Sequence, residues 1–219
     1  MKNNIPEPAY PPLHPSRWLP NALTIGRILF TPMLIWLISG TSAAASGDVT
    51  AIKWAAGLFA LCAVTDFLDG HLARFWGAQS DFGRMIDPIA DKILVAGCLI
   101  AINLSTVAHH GILWQVLIPS LIIIGRDILV SGVREHAAFL NIVMAPTRPA
   151  KLKTTLEMLA IFLFLLAMAW TGGEALAGDA AGSPPVLAMI AGIVLWLAAV
   201  LSAWTGGLYF RAALSKKAT

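Results

Sequence analysis

Long stretches without any charged side chain recur along this chain. Four segments contain no Asp, Glu, Lys or Arg, and they cover residues 28–47, 93–125, 158–173 and 186–210. A helix needs about 20 apolar residues to cross the hydrocarbon core of a bilayer. Backbone groups in lipid must be paired within their own segment, and these stretches lack the alternation that is typical of barrel strands. The pattern therefore predicts transmembrane helices.

The segment 93–125 has 33 residues, which is too long for one crossing and too short for two complete ones. Its polar interruption at residues 109–111 predicts a hairpin whose second helix continues past Arg126. A further apolar run extends from about residue 50 to residue 68. The six predicted spans lie near 22–40, 50–74, 86–107, 112–137, 151–171 and 185–210.

Composition restricts the class of protein further. Apolar residues make up 58% of the 219-residue chain, and charged residues make up 12%, which is about half the share in soluble domains. The apolar content excludes disorder, and two cysteines within apolar runs exclude a disulfide scaffold. The net charge of +3 comes without a basic patch that is interleaved with aromatic residues, so no nucleic-acid partner is expected. The remaining class is an all-α integral membrane protein.

Lysine and arginine are distributed unevenly over the predicted loops. Thirteen of the fifteen lie in or beside the N-terminal arm, the turns after spans two and four, and the C-terminal tail. The other three turns contribute only Lys53, and Arg126 lies inside the fourth span. Because cytoplasmic loops are enriched in these residues, both termini are predicted to be cytoplasmic.

The chain divides into three predicted parts. Residues 1–20 contain six of the thirteen prolines and cannot form a long helix, so they are interpreted as a Pro-rich cytoplasmic arm. Residues 21–212 form the membrane domain, and residues 213–219 form a basic cytoplasmic tail. A basic arm, an apolar run and the small residues at 41–46 are also compatible with a cleaved signal peptide. Two observations favour the cytoplasmic arm over the signal peptide. The segment before the apolar run is long, and residues 21–27 are assigned a functional role below.

Four carboxylates border the turn between the second and third spans. Asp66 and Asp69 lie about 60° apart around one helix. Asp87 and Asp91 lie about 40° apart around the next helix. Such carboxylates repel one another unless cations neutralise them, and hard divalent cations prefer oxygen ligands together with substrate phosphates. The spacing therefore favours a two-metal site for phosphoryl displacement.

Small residues accompany these acids at a spacing of about one helical turn. Gly70 and Ala73 follow the first pair, and Gly83 precedes the second. On the metal-facing stripe they would let a bulky ligand approach the backbone. Ordinary close packing between membrane helices is the alternative interpretation.

The stretch from Asp66 to Asp91 resembles the signature of the CDP-alcohol phosphatidyltransferase family. That signature reads Asp-x2-Asp-Gly-x2-Ala-Arg-x8-Gly-x3-Asp-x3-Asp, and all eight specified positions match without a gap. The likeness extends from Asn21 to about Met158, and residues 19–27 resemble the first helix of the family.

The resemblance implies a fold, a reaction and a cofactor. The implied fold has six transmembrane helices around a polar cavity that opens to the cytoplasm, in a homodimer of the bacterial inner membrane. The implied reaction transfers the phosphatidyl group of CDP-diacylglycerol to an alcohol and releases CMP. The four Asp residues would bind two divalent cations, Mg²⁺ or Mn²⁺, and Asp91 would also accept the proton. The residues expected near the donor are Asn21, Thr24, Arg27, Gly70, Ala73, Arg74, Ser80 and Gly83.

The segments 124–135 and 151–155 resemble the bacterial branch of this family that makes phosphatidylglycerophosphate, which implies glycerol 3-phosphate as acceptor. Its phosphate needs cationic ligands, and the candidates are Arg126, Arg134, Arg148, Lys151 and Lys153. Ala150 stands where that branch has Gly. Because adjacent helical positions point about 100° apart, no tight ion pair between Arg126 and Asp127 is expected. Asp127 is instead expected to orient the basic residues or to serve a structural role.

Other functions stay open at this level. The same chemistry could use inositol phosphate, serine or phosphatidylglycerol as acceptor. Buried acids could also serve a cation or proton transporter, but such sites lie near the midplane between repeats, whereas these acids cluster beside a predicted cytoplasmic turn. A lipid-binding or scaffold protein would not need both Asp pairs.

Overall fold

The computed structural model describes residues 18–40, 49–76, 81–139, 148–171 and 186–215. Within them, the side chains of 18–21, 67–76, 81–84, 109–110, 148, 150, 171 and 212–215 are not described. The described residues form six helices and no strand. The helices are α1 (Trp18–Gly40), α2 (Thr50–Trp76), α3 (Asp81–His110), α4 (Trp114–Phe139), α5 (Arg148–Thr171) and α6 (Val186–Ser215).

Four of the described helices are long and apolar enough to cross a membrane. The corresponding segments are Ala22–Gly40, Trp114–Phe139, Lys151–Trp170 and Val186–Arg211. The chain is therefore a multi-pass membrane protein, and the prediction of an all-helical membrane fold is confirmed. Helices α2 and α3 carry the charged residues of the acidic motif.

The helix ends follow local chemistry. Helix α1 begins at Trp18, three residues before the predicted membrane domain, and Pro20 falls in its first turn, where proline is tolerated. The predicted hairpin is confirmed, because α3 ends at His110 and α4 begins at Trp114. Gly111 between them has φ +77°, a left-handed conformation that glycine adopts without steric cost. The arm before residue 18 and the tail after residue 215 lie outside the described residues.

The six helices form two groups that pack side by side. Helix α1 packs against α2 and α3, and α6 packs against α4 and α5. Contacts of α5 with α2 and α3, and of α3 with α4, join the two groups. The core is filled by buried apolar side chains such as Leu34, Phe59, Leu99, Phe164 and Leu195. Helix α1 is an integral part of this core, which argues against its interpretation as a signal peptide.

A close approach of α1 and α3 centres on Gly97. A Cβ atom at this position would lie 2.9 Å from Ile35 Cδ1 and 3.2 Å from Thr31 Cγ2. Small residues at helix interfaces let backbones approach closely in membranes. The approach keeps the first half of α1 near the first half of α3, and this brings Arg27 within reach of Asp91.

Candidate active site

Two side chains of α1 reach the acidic residues of α2 and α3. Arg27 is buried, and its Nη2 lies 2.6 Å from Asp66 Oδ1. Its Nη1 donates to Asp91 Oδ1 at 2.7 Å. One turn earlier, Thr24 Oγ1 donates to Asp87 Oδ1 at 2.6 Å. Helix α1 therefore holds carboxylates from both halves of the acidic motif around one point.

We call Thr24, Arg27, Asp66, Asp87 and Asp91 the acidic cluster. Its electrostatics favour the binding of cations. Asp66 and Asp91 are each about one third exposed (35% and 36%), whereas the Arg27 side chain is only 2% exposed. The carboxylates are therefore accessible from the surface, whereas the guanidinium is enclosed by protein. Asp66, Asp87 and Asp91 repel one another across the cluster. With Arg27, these four side chains have a net charge of −2 when all are ionised.

A metal ion would meet only oxygen ligands in this cluster, which is the donor set that Mg²⁺ and similar hard cations prefer. Among the described residues, no three Asp, Glu, His or Cys side chains form a ready-made metal site. One reason is that the carboxylates are partly engaged by α1. Arg27 holds an oxygen of Asp66 and of Asp91, and Thr24 holds an oxygen of Asp87. The fourth acid, Asp69, lies on α2, but its side chain is outside the described set.

A second polar cluster lies between α4, α5 and α6. Asp127 Oδ1 accepts hydrogen bonds from Arg126 Nη1 at 2.9 Å and from Lys153 Nζ at 2.5 Å. Lys153 Nζ also lies 3.0 Å from Glu157 Oε2, one turn further along α5. Lys153 and Glu157 are almost completely buried. The two cations and two carboxylates of this cluster balance in charge.

Helix α6 provides the surface on which Arg126 lies. Arg126 Nε donates to the carbonyl oxygen of Ser202 at 3.1 Å, and its Nη2 donates to Thr205 Oγ1 at 3.0 Å. The guanidinium carbon is 6.0 Å from the centroid of the Tyr209 ring, within cation–π range. At Gly206 a Cβ atom would lie 2.9 Å from Arg126 Cγ, so the absence of a side chain there makes room for the arginine.

A match over most of the chain decides the family. Residues 17–204, most of the chain, match the family model described as CDP-alcohol phosphatidyltransferase. The chain belongs to the CDP-alcohol phosphatidyltransferase family. The resemblance predicted from the acidic motif is thereby confirmed.

Relatives with curated names agree on one activity. A Rickettsia typhi protein named CDP-diacylglycerol–glycerol-3-phosphate 3-phosphatidyltransferase is 38% identical over 194 residues, covering 89% of this chain and 96% of the relative. A Cereibacter sphaeroides protein of the same name is 34% identical over 222 residues, covering 90% of this chain and 95% of the relative. An Arabidopsis thaliana protein with this name, designated 1, chloroplastic/mitochondrial, is 34% identical over 200 residues, covering 88% of this chain and 62% of the relative.

The structure brings together several of the predicted donor and metal residues of this family member. Thr24, Arg27, Asp66, Asp87 and Asp91 form the acidic cluster described above. The remaining predicted residues lie on the same helices with undescribed side chains (Asn21 on α1; Asp69, Gly70, Ala73 and Arg74 on α2; Gly83 on α3), and Ser80 falls outside the described residues.

The predicted acceptor residues divide into two sets. Arg126 and Lys153 meet at Asp127, whereas Arg134 and Lys151 are exposed, and the side chain of Arg148 is not described. The expectation that Arg126 and Asp127 do not pair tightly is wrong. Adjacent Cβ atoms do diverge, but the long arginine side chain bends back so that its Nη1 reaches the carboxylate at 2.9 Å.

Sequence reasoning missed Glu157, Thr205, Gly206 and Tyr209. Glu157 carried a usable signal, because a carboxylate four residues after Lys153 in an apolar helix faces the same side and pairs with it. The three residues of α6 carried none, since Thr, Gly and Tyr are common in membrane helices. Their contacts with Arg126 depend on how α4 and α6 pack.

Proposed function

We propose that this protein transfers the phosphatidyl group of CDP-diacylglycerol to glycerol 3-phosphate, which yields phosphatidylglycerophosphate and CMP. The observation that carries the proposal is the convergence of Asp66, Asp87 and Asp91 on Thr24 and Arg27 within hydrogen-bond distance. An anionic pyrophosphate needs such a cation-binding cluster at the point where its phosphorus is attacked. The shared name of the relatives supports glycerol 3-phosphate as the acceptor.

The four acids of the motif, Asp66, Asp69, Asp87 and Asp91, would hold two divalent cations, Mg²⁺ or Mn²⁺. When bound, these cations offset the charge that grows on the CMP leaving group during an in-line displacement. The oxygen-only donors and the residual negative charge of the cluster fit such ions. Asp91 takes the proton of the attacking hydroxyl, since its carboxylate is partly open and lies one turn beyond Asp87.

The donor headgroup is held from α1 and the end of α2. Arg27 and Thr24 present their polar groups toward the acids, at the place where the pyrophosphate would bind. Arg74 would form a forked contact with a phosphate, which a lysine does less well. The other proposed donor residues are Asn21, Gly70, Ala73, Ser80 and Gly83.

The acceptor phosphate is held by the second cluster, through Arg126 and Lys153 with support from Arg134, Arg148 and Lys151. The hairpin at Gly111 supports a common location for the two clusters. Asp91 precedes this turn by 20 residues and Arg126 follows it by 15. At about 1.5 Å per residue, both residues lie roughly 20–30 Å from the turn along neighbouring helices. Asp91 therefore lies in the half of α3 away from the hairpin and Arg126 at the middle of α4, so the two clusters lie within about 10 Å of each other along the helix direction.

The arrangement in the membrane follows from the same proposal. All six helices cross the bilayer around a polar cavity that opens to the cytoplasm, with both termini on that side. The protein is a homodimer in the bacterial inner membrane and works among membrane lipids. The distribution of lysine and arginine supports this orientation.

A CMP-release assay tests the proposed function. Purified protein in detergent receives CDP-diacylglycerol, Mg²⁺ or Mn²⁺, and one acceptor at a time. Release with glycerol 3-phosphate alone, abolished by EDTA, is the expected result. Release with serine, inositol phosphate or phosphatidylglycerol instead would retain the reaction but refute the acceptor. Failure of folded protein with every acceptor and both metals would refute the enzyme proposal.

A pair of neighbouring glycines tests the α6 side of the acceptor site. Gly206→Ala places a methyl group where it would be 2.9 Å from Arg126 Cγ, so the arginine has to shift. We expect the KM for glycerol 3-phosphate to rise about tenfold, since a displaced arginine loses a charge-assisted hydrogen bond, with little change in the KM for the donor. Gly207→Ala is the matched control, because nothing lies within 4 Å of a Cβ atom there. Equal effects of the two variants would contradict the assignment.

A further inference from the structure

Arg27 occupies the space between two of the proposed metal ligands. Its two terminal nitrogens bind Asp66 Oδ1 and Asp91 Oδ1 at 2.6 and 2.7 Å. The guanidinium is 2% exposed, whereas the two carboxylates are 35% and 36% exposed. One fixed, planar cation therefore bridges carboxylates from two different helices and lies at the buried side of both.

The Arg27 bridge between Asp66 and Asp91 competes with metal binding. A divalent cation that binds the acidic cluster needs carboxylate oxygens of Asp66 and Asp91, and the guanidinium already holds one oxygen of each. Divalent cations and Arg27 therefore exclude each other at least partly from these two acids.

The competition has a second consequence, because Arg27 is buried. A buried cation that gives up two carboxylate contacts loses part of its charge compensation, and this is unfavourable. A pyrophosphate offers replacement oxygens with the geometry that a guanidinium binds through two parallel hydrogen bonds. A pyrophosphate at the cluster would thus compensate Arg27 at the moment when the carboxylates turn to the metal.

We propose that Arg27 couples metal binding to donor binding. In the absence of donor it holds Asp66 and Asp91 together, and in the presence of a nucleoside diphosphate lipid it binds the pyrophosphate and releases both acids to the divalent cations. Arg27 is thus a positioning residue for the metal ligands. This inference rests on the proposed function, since it assumes that the acidic cluster binds divalent cations.

Mn²⁺ binding measured by electron paramagnetic resonance tests the coupling without any turnover. Purified full-length protein is titrated with Mn²⁺ in nanodiscs, with and without CDP-diacylglycerol, and no acceptor is added. We expect wild-type protein to bind Mn²⁺ about tenfold or more tightly when the donor is present, within the usual range of coupling between ligands. In Arg27→Gln, binding without donor should become tighter than in wild type. The ratio of the affinities with and without donor should fall by about tenfold.

Two further variants separate the bridge from general electrostatics. Arg27→Lys retains the charge but has a single ammonium in place of the planar fork, so its ratio of Mn²⁺ affinities with and without donor should be intermediate. This variant also serves as the test if Arg27→Gln does not fold. Arg126→Gln removes a mostly buried arginine of the second cluster and should leave the ratio within about threefold of wild type.

The outcomes distinguish this inference from the proposed function. An affinity ratio near one in wild type, or an unchanged ratio in Arg27→Gln and Arg27→Lys, would overturn the role of Arg27 while leaving the metal site in place. Absence of Mn²⁺ binding in wild type with and without donor, together with CMP release that resists EDTA, would refute the metal site itself.

Discussion

Asp91→Asn is expected to lower kcat by about a thousandfold or more, because the variant removes the proposed base and general base catalysis contributes a factor of this order. The amide retains the shape of the side chain and one oxygen. The contact with Arg27 Nη1, 2.7 Å in the native protein, can therefore persist. Because Thr24, Arg27 and Asp66 are unchanged, binding of CDP-diacylglycerol should change much less than kcat. Single-turnover CMP release and equilibrium donor binding measure the two properties separately.

Asp66→Asn is a matched control for this variant. Asp66 has the same kind of contact with Arg27 and nearly the same exposure as Asp91, 35% against 36%. As a metal ligand without the role of base, it should give an enzyme whose activity is partly restored by high Mn²⁺ concentration. Asp91→Asn should stay inactive at any Mn²⁺ concentration. Restoration of Asp91→Asn by Mn²⁺ would remove Asp91 from the role of proton acceptor.

Arg126→Ala is expected to raise the KM for glycerol 3-phosphate by about 10- to 100-fold, the effect of losing one charge-assisted hydrogen bond to a phosphate. The KM for CDP-diacylglycerol should stay within about threefold of wild type, because Arg126 contacts Asp127 and α6 rather than the acidic cluster. Steady-state kinetics with one substrate varied at a time measure the two constants.

Two controls support the interpretation of Arg126→Ala. Lys53→Ala removes an exposed cation near the start of α2, far along the helix from Asp66, and should change neither KM. Arg126→Lys retains the charge but not the contacts of the fork with Ser202 and Thr205, so its effect should be intermediate. Equal increases of both KM values in Arg126→Ala would place the residue outside the acceptor site.

The helices themselves were largely predictable, and the reason is local. A charge-free run of about 20 residues has few alternatives to a helix in lipid, so the predicted span near 185–210 corresponds to α6 (Val186–Ser215). The ends were less predictable where charges accumulate. Helix α3 begins at Asp81 rather than near residue 86, because a helix can continue with charged residues after it leaves the hydrocarbon region.

The acidic motif was also readable from the sequence, since Asp66, Asp69, Asp87 and Asp91 lie in fixed register along two helices. The same is true of family membership, which depends on the order and spacing of residues rather than on their contacts. In this protein, spacing along a helix determines which residues share a face, and that information is complete in the sequence.

Only the tertiary structure decided which charges meet. Thr24 and Asp87 are 63 residues apart, and Arg126 and Thr205 are 79 apart. Such pairs form because particular helices pack together, and no periodicity within one helix contains that information. The Arg126–Asp127 pair shows the same limit at short range, since the angle between adjacent Cβ atoms does not determine where a long side chain ends. The sequence by itself therefore determined the helices, the acidic motif and the family, while packing decided that Arg27 bridges Asp66 and Asp91 and that α6 supports Arg126.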